Sequence, residues 1–418
     1  MRKRMERQGF GVIFHLVVLV ALALPGVGDA KPTVILLSMD GVRHDYPERT
    51  RLPAFERMEK EGMRVARMRP VFPSNTFPNH VALATGTYPD RHGILDNRFW
   101  DRERGLYDYG KGEGESWLEA EPLWAAAERQ GVPAAIFFWV GSQTPWRGQA
   151  VFDARRPFDG DLPEAEKVDQ ILSWLDLPSG RRPGLIMSWW HGADYPGHRF
   201  GPESSEVVEA LKGQDLELTR LFAGIDARGA WDDVTVVVVS DHGMVAVTES
   251  VSLEEVLEPE GIRARVQFGS SVAHVFLQDP SDLDRAQTLL AGDSGLRVYR
   301  AVDLPSELRM SHPQRNGDLV VLVDPPRTFY QQPGLNRAYF LLRGLWDPEA
   351  QIGMHGYDPG RPDMGAIFFA IGRGVSAGSR SDEIRTIDVA PTVAHLLGID
   401  APAQSEGERI PGVGEHLH

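Results

Sequence analysis

Three short runs of almost entirely apolar residues limit the choice of fold. They cover residues 33–39, 184–190 and 234–240. Apolar runs of this length are typical of strands that are buried on both faces of a parallel sheet. Helical patterns lie between them, at residues 53–61, 122–130, 166–175 and 205–227. This alternation predicts an α/β protein with a mostly parallel central sheet that is covered by helices on both faces.

The stretch from residue 250 to 345 has a different character. Short strand patterns at 272–277, 296–300 and 318–323 surround one helical pattern at 283–290. We therefore predict a small inserted α+β subdomain at 250–345, within a main domain of residues 31–249 and 346–402. The main domain should resume with a strand at 366–371 and a helix that Asp388 caps and Gly398 ends. Residues 403–418 are predicted to form a loosely ordered tail.

The first thirty residues have the pattern of a secretory signal. Four basic residues precede an apolar run at 11–24, and small residues stand at 28 and 30. We expect cleavage near Ala30 and a secreted protein of the bacterial periplasm, with no membrane span after cleavage. An uncleaved anchor is the alternative, although the apolar run is short for a span of roughly 20 residues.

Composition excludes several classes of protein. The chain has no cysteine, which excludes a disulfide scaffold, a thiolate metal site and a cysteine nucleophile. Its 44 basic and 59 acidic residues give a net charge of −15, and loss of the four basic and two acidic residues of the signal makes it −17. This charge argues against a stable nucleic-acid complex formed by a basic surface. An anionic substrate would need a local attraction, such as a metal ion.

Aspartate and histidine gather near the ends of the three apolar runs. Asp40, Asp194 and Asp241 follow the runs, and His198 and His242 lie close to two of them. His355 stands later in the chain, beside Gly356. Ligands meet the carboxyl ends of strands in open α/β sheets, and carboxylate with imidazole can bind zinc without cysteine. Two such ions are a standard device for phosphoryl transfer. Turn-forming aspartates and structural histidines are the alternative, and manganese or iron would accept the same ligands.

Thr76 is the candidate nucleophile. It precedes Pro78, which predicts that Thr76 lies just before a helix and near its positive end. A bound zinc could lower the pKa of this hydroxyl enough for attack without a histidine base. A plain helix cap is the alternative.

Six segments together make the chain resemble the nucleotide pyrophosphatase/phosphodiesterase family of the alkaline phosphatase superfamily. They are LLSMDGVRHDY, PSNTFPNHVALATGTYPDRHGILDN, DYPGHRFGP, VVVSDHGM, MHGYD and TIDVAPTVAHLLGI, in family order. The resemblance covers nearly all of the chain after the signal. It implies a three-layer α/β/α sandwich like that of alkaline phosphatase.

The resemblance also implies two zinc ions and a role for each matching residue. One ion would be held by Asp40, Thr76, Asp241 and His242, and the other by Asp194, His198 and His355. Thr76 would form a covalent phosphothreonine, which water activated at the second zinc would release. Asn97 would donate a hydrogen bond to a phosphoryl oxygen, and Phe77 would stack on the leaving-side group or base.

Two positions depart from the family pattern. Ala193 replaces a usual proline, and His191 replaces an acidic residue. His191 could face the substrate, support a ligand or simply pack. The second stacking aromatic could be Trp146 or Phe152.

The predicted activity is hydrolysis of phosphodiester or pyrophosphate bonds in a small molecule, in particular a nucleotide. Residues 134–142 contain no Lys-x-Arg, the motif that superfamily monoesterases use for the extra charge of a monoester. A lipid-headgroup diester remains open as substrate. The alternatives are a phosphomonoester or phosphonate hydrolase and a non-catalytic binding protein on the same fold. The sequence leaves the oligomeric state open.

Overall fold

The computed structural model describes residues 32–108, 117–143, 145–154, 158–329, 352–415 and 417. The predicted signal lies outside these residues. All of the described residues belong to one compact unit. Within the described parts of the chain, none of the helices combines the length and apolar character that a membrane span requires.

The strands in chain order are β1 (Thr33–Met39), β2 (Met63–Arg69), β3 (Arg98–Asp101), β4 (Gly105–Asp108), β5 (Ala134–Phe137), β6 (Asp153–Ala154), β7 (Leu185–Trp190), β8 (Val234–Val239), β9 (Val245–Val247), β10 (Glu249–Ser250), β11 (Ala264–Phe268), β12 (Val272–Leu277), β13 (Leu296–Arg300), β14 (Leu319–Val323), β15 (Arg327–Thr328), β16 (Ile352–Met354), β17 (Ala366–Gly372) and β18 (Ser379–Arg385). The α-helices are α1 (Pro53–Glu61), α2 (Thr76–Thr85), α3 (Pro89–His92), α4 (Leu123–Arg129), α5 (Glu164–Leu175), α6 (Asp194–Phe200), α7 (Ser205–Arg228), α8 (Glu254–Leu257), α9 (Leu283–Leu290) and α10 (Val389–Leu397).

The main sheet has eight strands in the order β18-β2-β17-β8-β1-β7-β5-β6. The run from β8 to β6 is parallel throughout, and β17 is antiparallel to both of its neighbours. The predicted mostly parallel α/β sheet is therefore confirmed. The charged strands β2 and β18 also belong to this sheet, and neither was predicted from the sequence.

Alternate residues of the central strand enter two different cores. Val34 and Leu36 of β1 pack with α2, α4 and α10 on one face. Ile35 and Leu37 pack with α1, α5 and α7 on the other face. Both faces of the sheet are thus covered, which explains why its central strands are apolar without alternation.

A second sheet lies within the region that the sequence analysis assigns to an insertion. Its antiparallel order is β11-β12-β14-β13, and it has its own apolar core with α9. The turn between β11 and β12 reaches the main domain, where the Ser271 hydroxyl donates to the carbonyl of Gly356. A side chain at Gly269 would collide with Asp96, so this turn also packs closely on the segment that contains Asn97.

Two local expectations need correction. The described part of the tail is not loose, because Ile410 and Val413 are buried and the Ile410 N–H donates to Thr392 Oγ1 at 2.9 Å. Asp388 precedes α10, but its carboxylate accepts from the N–H groups of Arg385 and Glu408 rather than capping that helix. The contacts of Ile410 and Glu408 join the tail to α10 and to Asp388, about twenty residues earlier in the chain, whereas the contact of Arg385 with Asp388 is local.

Candidate active site

The three aspartates meet at the carboxyl end of the parallel strands. Asp40 follows β1 directly, Asp241 follows β8 after one residue, and Asp194 opens α6 after β7. β1 lies between β7 and β8, with Met39 opposite Trp190 and Ser38 opposite Val239. This shared register brings all three carboxylates to one edge of the sheet.

The first group of potential metal ligands comprises Asp40, Asp241 and His242, all of which are buried. The Nε2 atom of His242 lies 3.1 Å from Asp241 Oδ2 and 3.6 Å from Asp40 Oδ1. The hydroxyl oxygen of Thr76 lies 3.2 Å from the same Nε2 atom. The four residues that the resemblance assigns to one ion therefore converge.

The second group comprises Asp194, His198 and His355. Asp194 and His198 are four residues apart on α6, which places them on one helix face. Asp194 Oδ1 lies 3.3 Å from His198 Nε2 and 3.6 Å from His355 Nε2. The rings of His355 and His242 stack with centroids 3.7 Å apart, so the two groups adjoin each other.

Each of the three histidines is held in the orientation of a metal ligand. Its Nδ1 atom contacts a backbone carbonyl: Gly243 at 2.9 Å for His242, Gly353 at 2.7 Å for His198 and Ser74 at 3.2 Å for His355. A hydrogen bond from Nδ1 to a carbonyl fixes the tautomer and leaves Nε2 as the electron-pair donor. All three Nε2 atoms point into the two groups.

Each aspartate has one oxygen that makes no hydrogen bond with any described residue: Asp40 Oδ1, Asp194 Oδ1 and Asp241 Oδ2. The other oxygen of Asp40 accepts from Trp189 Nε1 at 2.8 Å, and that of Asp241 accepts from the Gly41 N–H at 3.0 Å. Buried polar atoms normally have partners. Three orphaned carboxylate oxygens beside three imidazole nitrogens form a donor set that suits divalent cations.

The pKa shifts show the same lack of compensating charge. Burial raises the pKa of Asp40 well above its usual value, and the carboxylates of Asp241 and Asp194 raise it further. Burial lowers the pKa of His355 well below its usual value, and the imidazoles of His242 and His198 lower it further. Divalent cations would relieve both repulsions, so the residues present fit a two-metal site.

Thr76 is the first residue of α2, with Asn75 at the N-cap, so the prediction that it precedes the helix was one residue off. Its side chain is half-buried beside the first group. The Phe77 N–H donates to Asn97 Oδ1 at 2.8 Å. Because that oxygen is engaged, the amide nitrogen of Asn97 is the group left to donate to another partner.

Three residues that support the site were not predicted from the sequence: Asp96, His80 and Trp189. Asp96 Oδ1 accepts from the Asn97 N–H at 2.6 Å and from Asn75 Nδ2 at 2.9 Å, so it links the segments on both sides of the nucleophile. His80 Nδ1 lies 3.4 Å from Asp241 Oδ2, and Trp189 holds Asp40. Asp96 and His80 stand inside recognised motifs, but no sequence signal shows what they contact.

The structure shows the surroundings of His191, Trp146 and Phe152, whose roles the sequence leaves open. His191 is bound to Glu164, which accepts from its N–H at 2.8 Å and contacts its Nδ1 at 2.7 Å, so it belongs to neither ligand group. Trp146 is buried in the same apolar cluster that Phe77 contacts, whereas Phe152 is exposed. Phe77 also meets Tyr107 edge-on, with centroids 6.4 Å apart.

The sheet thus brings two adjoining groups of aspartate and histidine donors to one edge, which defines a candidate two-metal site. The family model described as type I phosphodiesterase / nucleotide pyrophosphatase matches residues 34–358, and the chain belongs to this family.

Curated relatives agree with this assignment. An ectonucleotide pyrophosphatase/phosphodiesterase of Caenorhabditis elegans is 29% identical over 388 residues, which cover 91% of this chain and 49% of the relative. A pyrophosphatase/phosphodiesterase of Schizosaccharomyces pombe is 29% identical over 409 residues, which cover 93% of this chain and 81% of the relative. A venom phosphodiesterase of Crotalus durissus collilineatus is 28% identical over 399 residues, which cover 91% of this chain and 46% of the relative. The chain thus spans about half the length of the nematode and venom relatives.

Among solved structures, murine ectonucleotide pyrophosphatase/phosphodiesterase 5 has the same fold. Its TM-score is 0.79 at 24% identity, and the match covers 89% of this chain and 96% of the murine chain. The likeness confirms the α/β/α sandwich.

Proposed function

We propose that this chain is a secreted, zinc-dependent hydrolase of phosphodiester or pyrophosphate bonds that acts on nucleotides through a phosphothreonine at Thr76. The proposal is carried by one observation. Three carboxylate oxygens that have no hydrogen-bond partner among the described residues converge with three imidazole Nε2 atoms, and the Thr76 hydroxyl lies beside one of these nitrogens. Membership of the phosphodiesterase family supports it independently.

We assign one ion to Asp40, Thr76, Asp241 and His242, and the other to Asp194, His198 and His355. When bound, the ions would lower the pKa of a ligated hydroxyl or water and neutralise charge on the phosphoryl oxygens. Zinc is proposed because imidazole and carboxylate are its ligands where cysteine is absent.

Thr76 Oγ1 attacks phosphorus, and the bond from phosphorus to the leaving-group oxygen breaks on the opposite side. The leaving group departs with the electron pair and takes up a proton, and water then hydrolyses the phosphothreonine and restores the hydroxyl. The position of Thr76 at the start of α2 favours the anionic form of its hydroxyl. The Asn97 amide donates to a phosphoryl oxygen, where negative charge increases in the transition state.

A diester is favoured over a monoester by the segment that follows β5. Phe138 and Trp139 are buried there, and the Trp139 indole N–H donates to the carbonyl of His80 at 2.9 Å. The segment contains aromatic residues and no lysine or arginine, which suits a substrate without the extra charge of a monoester. Hydrolysis of phosphomonoesters or phosphonates is the second candidate.

The nucleotide substrate is proposed from the names of the relatives and from Phe77, which would stack on a base. The murine structural relative was captured with AMP as an inactive threonine-to-alanine variant, and other relatives are named as ectoenzymes or venom enzymes. Secretion by way of residues 1–30 to a bacterial periplasm is part of the same proposal. We also propose that residues 250–345 form an insertion in the catalytic domain.

The test uses Thr76→Ala, with Thr85→Ala on the same helix as the control. Thr85 Oγ1 donates to the carbonyl of Val81, away from the ligand groups. Thr76→Ala should lower turnover of a nitrophenyl nucleoside monophosphate diester roughly 10³-fold or more while zinc remains bound, because six Asp and His donors persist. Substantial residual turnover would refute the nucleophile.

Initial rates on that diester and on nitrophenyl phosphate, each measured with and without chelator, test the metal requirement and the preference for a diester. A diester preference that chelation abolishes and zinc restores is expected. A preference for nitrophenyl phosphate would make the second candidate correct, and full activity of protein shown by elemental analysis to be metal-free would refute the metal site.

A further inference from the structure

A fully buried lysine lies on α5, behind the first group of ligands. Lys167 is 0% exposed, and its ammonium finds no hydrogen-bond partner among the described residues. Burial lowers the pKa of Lys167 to about 8, although the carboxylates of Glu164 and Asp159 raise it in part. Lysine is almost never fully buried without a partner, because removing its charge from water is costly. Its retention here calls for a compensating contact.

That contact is the face of an indole ring. The Lys167 ammonium lies 4.8 Å from the centroid of Trp189 and 5.9 Å from that of Phe138. A cation within about 6 Å of a tryptophan face is attracted by the ring, and the attraction is strongest where both groups are shielded from water. Lys167 therefore fixes the plane in which the Trp189 indole lies.

The edge of the same indole orients a proposed metal ligand. Trp189 Nε1 donates to Asp40 Oδ2 at 2.8 Å, which turns the free Oδ1 toward His242 Nε2. The remaining ring neighbours of Trp189 hold it less firmly. Phe158 is 52% exposed, and His191 is a tilted ring 5.0 Å away. The cation is thus a buried support for the indole, next to the apolar core on which Trp189 packs, and it helps to keep the N–H directed at Asp40.

We infer that Lys167 is a positioning residue for the first metal site: its ammonium fixes the Trp189 indole, and the indole fixes the carboxylate of Asp40. The inference rests on the proposed function in one respect, because it assumes that Asp40 binds zinc. Groups that hold a ligand in place typically change metal affinity 10- to 100-fold when they are removed. An effect near the lower limit, about tenfold, is expected for a group that acts through Trp189.

The test compares Lys167→Met, Trp189→Phe and the double variant in the full-length protein. Methionine keeps the length and apolar stem of lysine but removes the charge, and phenylalanine keeps a ring but removes the N–H donor. Zinc affinity is measured by titration against a chromogenic chelator. Lys212→Met and Trp190→Phe are the controls, since Lys212 is exposed and the Trp190 N–H has no partner among the described residues.

Lys167→Met should weaken the binding of the zinc assigned to the first group about tenfold, whereas activity should recover at saturating zinc. Trp189→Phe should reproduce this loss, and the double variant should be no worse than Trp189→Phe alone. Additive losses would overturn the inference, because Lys167 would then act by another route. Wild-type zinc affinity in Lys167→Met would also overturn it.

Two measurements separate this result from misfolding and from failure of the proposed function. Thermal unfolding of the metal-free Lys167→Met protein should match or exceed that of the wild type, because the variant removes a buried charge. If methionine prevents folding, Lys167→Gln is the second neutral variant. A wild-type chain that binds no zinc would refute the proposed function and the inference with it. If the wild type binds two ions and Lys167→Met binds zinc with the same affinity, the inference alone is refuted.

Discussion

Replacing Asp96 with asparagine should stabilise the protein progressively as the pH rises from 4 to 8. Asp96 is 3% exposed, and its Oδ1 accepts the hydrogen bonds from Asn75 and Asn97. Burial raises the pKa of Asp96 to about 7 from its usual 3.8. Asparagine can accept the same two hydrogen bonds but carries no ionisable proton, so it removes the cost of ionising a buried carboxyl.

The sign and size of the effect follow from the two pKa values. Because the folded-state pKa is the higher one, the stability that Asp96 contributes is fully present below pH 3.8 and is lost as the pH rises to about 7. At 1.36 kcal/mol per pKa unit, the gap corresponds to about 4 kcal/mol. The free energy of unfolding of Asp96→Asn, relative to the wild type, should therefore rise by about 4 kcal/mol between pH 4 and pH 8.

The assay is urea unfolding of both metal-free proteins at each pH unit from 4 to 8. Asp176→Asn is the matched control. The hydrogen bond to Arg228 lowers the pKa of Asp176 below its usual 3.8, so the stability of this variant relative to the wild type should change below that pH and stay nearly constant from pH 4 to pH 8. A difference between Asp96→Asn and the wild type that stays constant from pH 4 to pH 8 would refute the reasoning, because Asp96 would then ionise as it does in water.

Two further predictions concern the chemistry and the backbone of the site. Asn97→Ala should lower kcat by roughly 10²- to 10³-fold with little change in KM, because it removes a hydrogen-bond donor used in the transition state. Steady-state kinetics on the nitrophenyl diester check this prediction. An effect on KM alone would contradict it. Gly192→Ala should abolish zinc binding and activity, because the new Cβ would lie 1.8 Å from the Asp40 carbonyl oxygen at a φ of +62°. Gly180→Ala, where the Cβ meets open space, should bind zinc normally, and elemental analysis distinguishes the two.

The central strands could be predicted from the sequence because burial on both faces leaves a continuous apolar run. β2 and β18 could not be predicted in this way. β2 carries Arg67 and Arg69, and Glu383 on β18 forms ion pairs with both. β2 has three arginines among its seven residues, and Ile384 is the one apolar residue of β18. Both strands lie at one side of the sheet. Their strand character depends on a partner strand that is distant in the sequence.

The candidate ligands were predictable for a related reason. Each stands directly after a strand or within a short motif, so local sequence places it at the edge of the sheet. The supporting residues depend on contacts across the fold instead. Trp189 reaches Asp40 over a sequence separation of 149 residues, and Lys167 reaches Trp189 from a helix. A lysine in an amphipathic helix gives no sign in the sequence that it will be buried.

The two ligand groups are held together by the main chain as well as by side chains. A Cβ at Gly41 would lie 2.8 Å from the Cα of Asp194, and one at Gly192 would overlap the backbone of Asp40. Both glycines have positive φ, so the segments that follow β1 and β7 approach each other more closely than residues with side chains allow. The backbone of Asp40 is therefore in direct contact with the segment that carries Asp194. This contact sets the spacing of the backbone segments that carry Asp40 and Asp194, each of which would hold one of the two proposed ions. A substitution at a ligand should consequently weaken one ion, whereas a substitution at either glycine should disturb both.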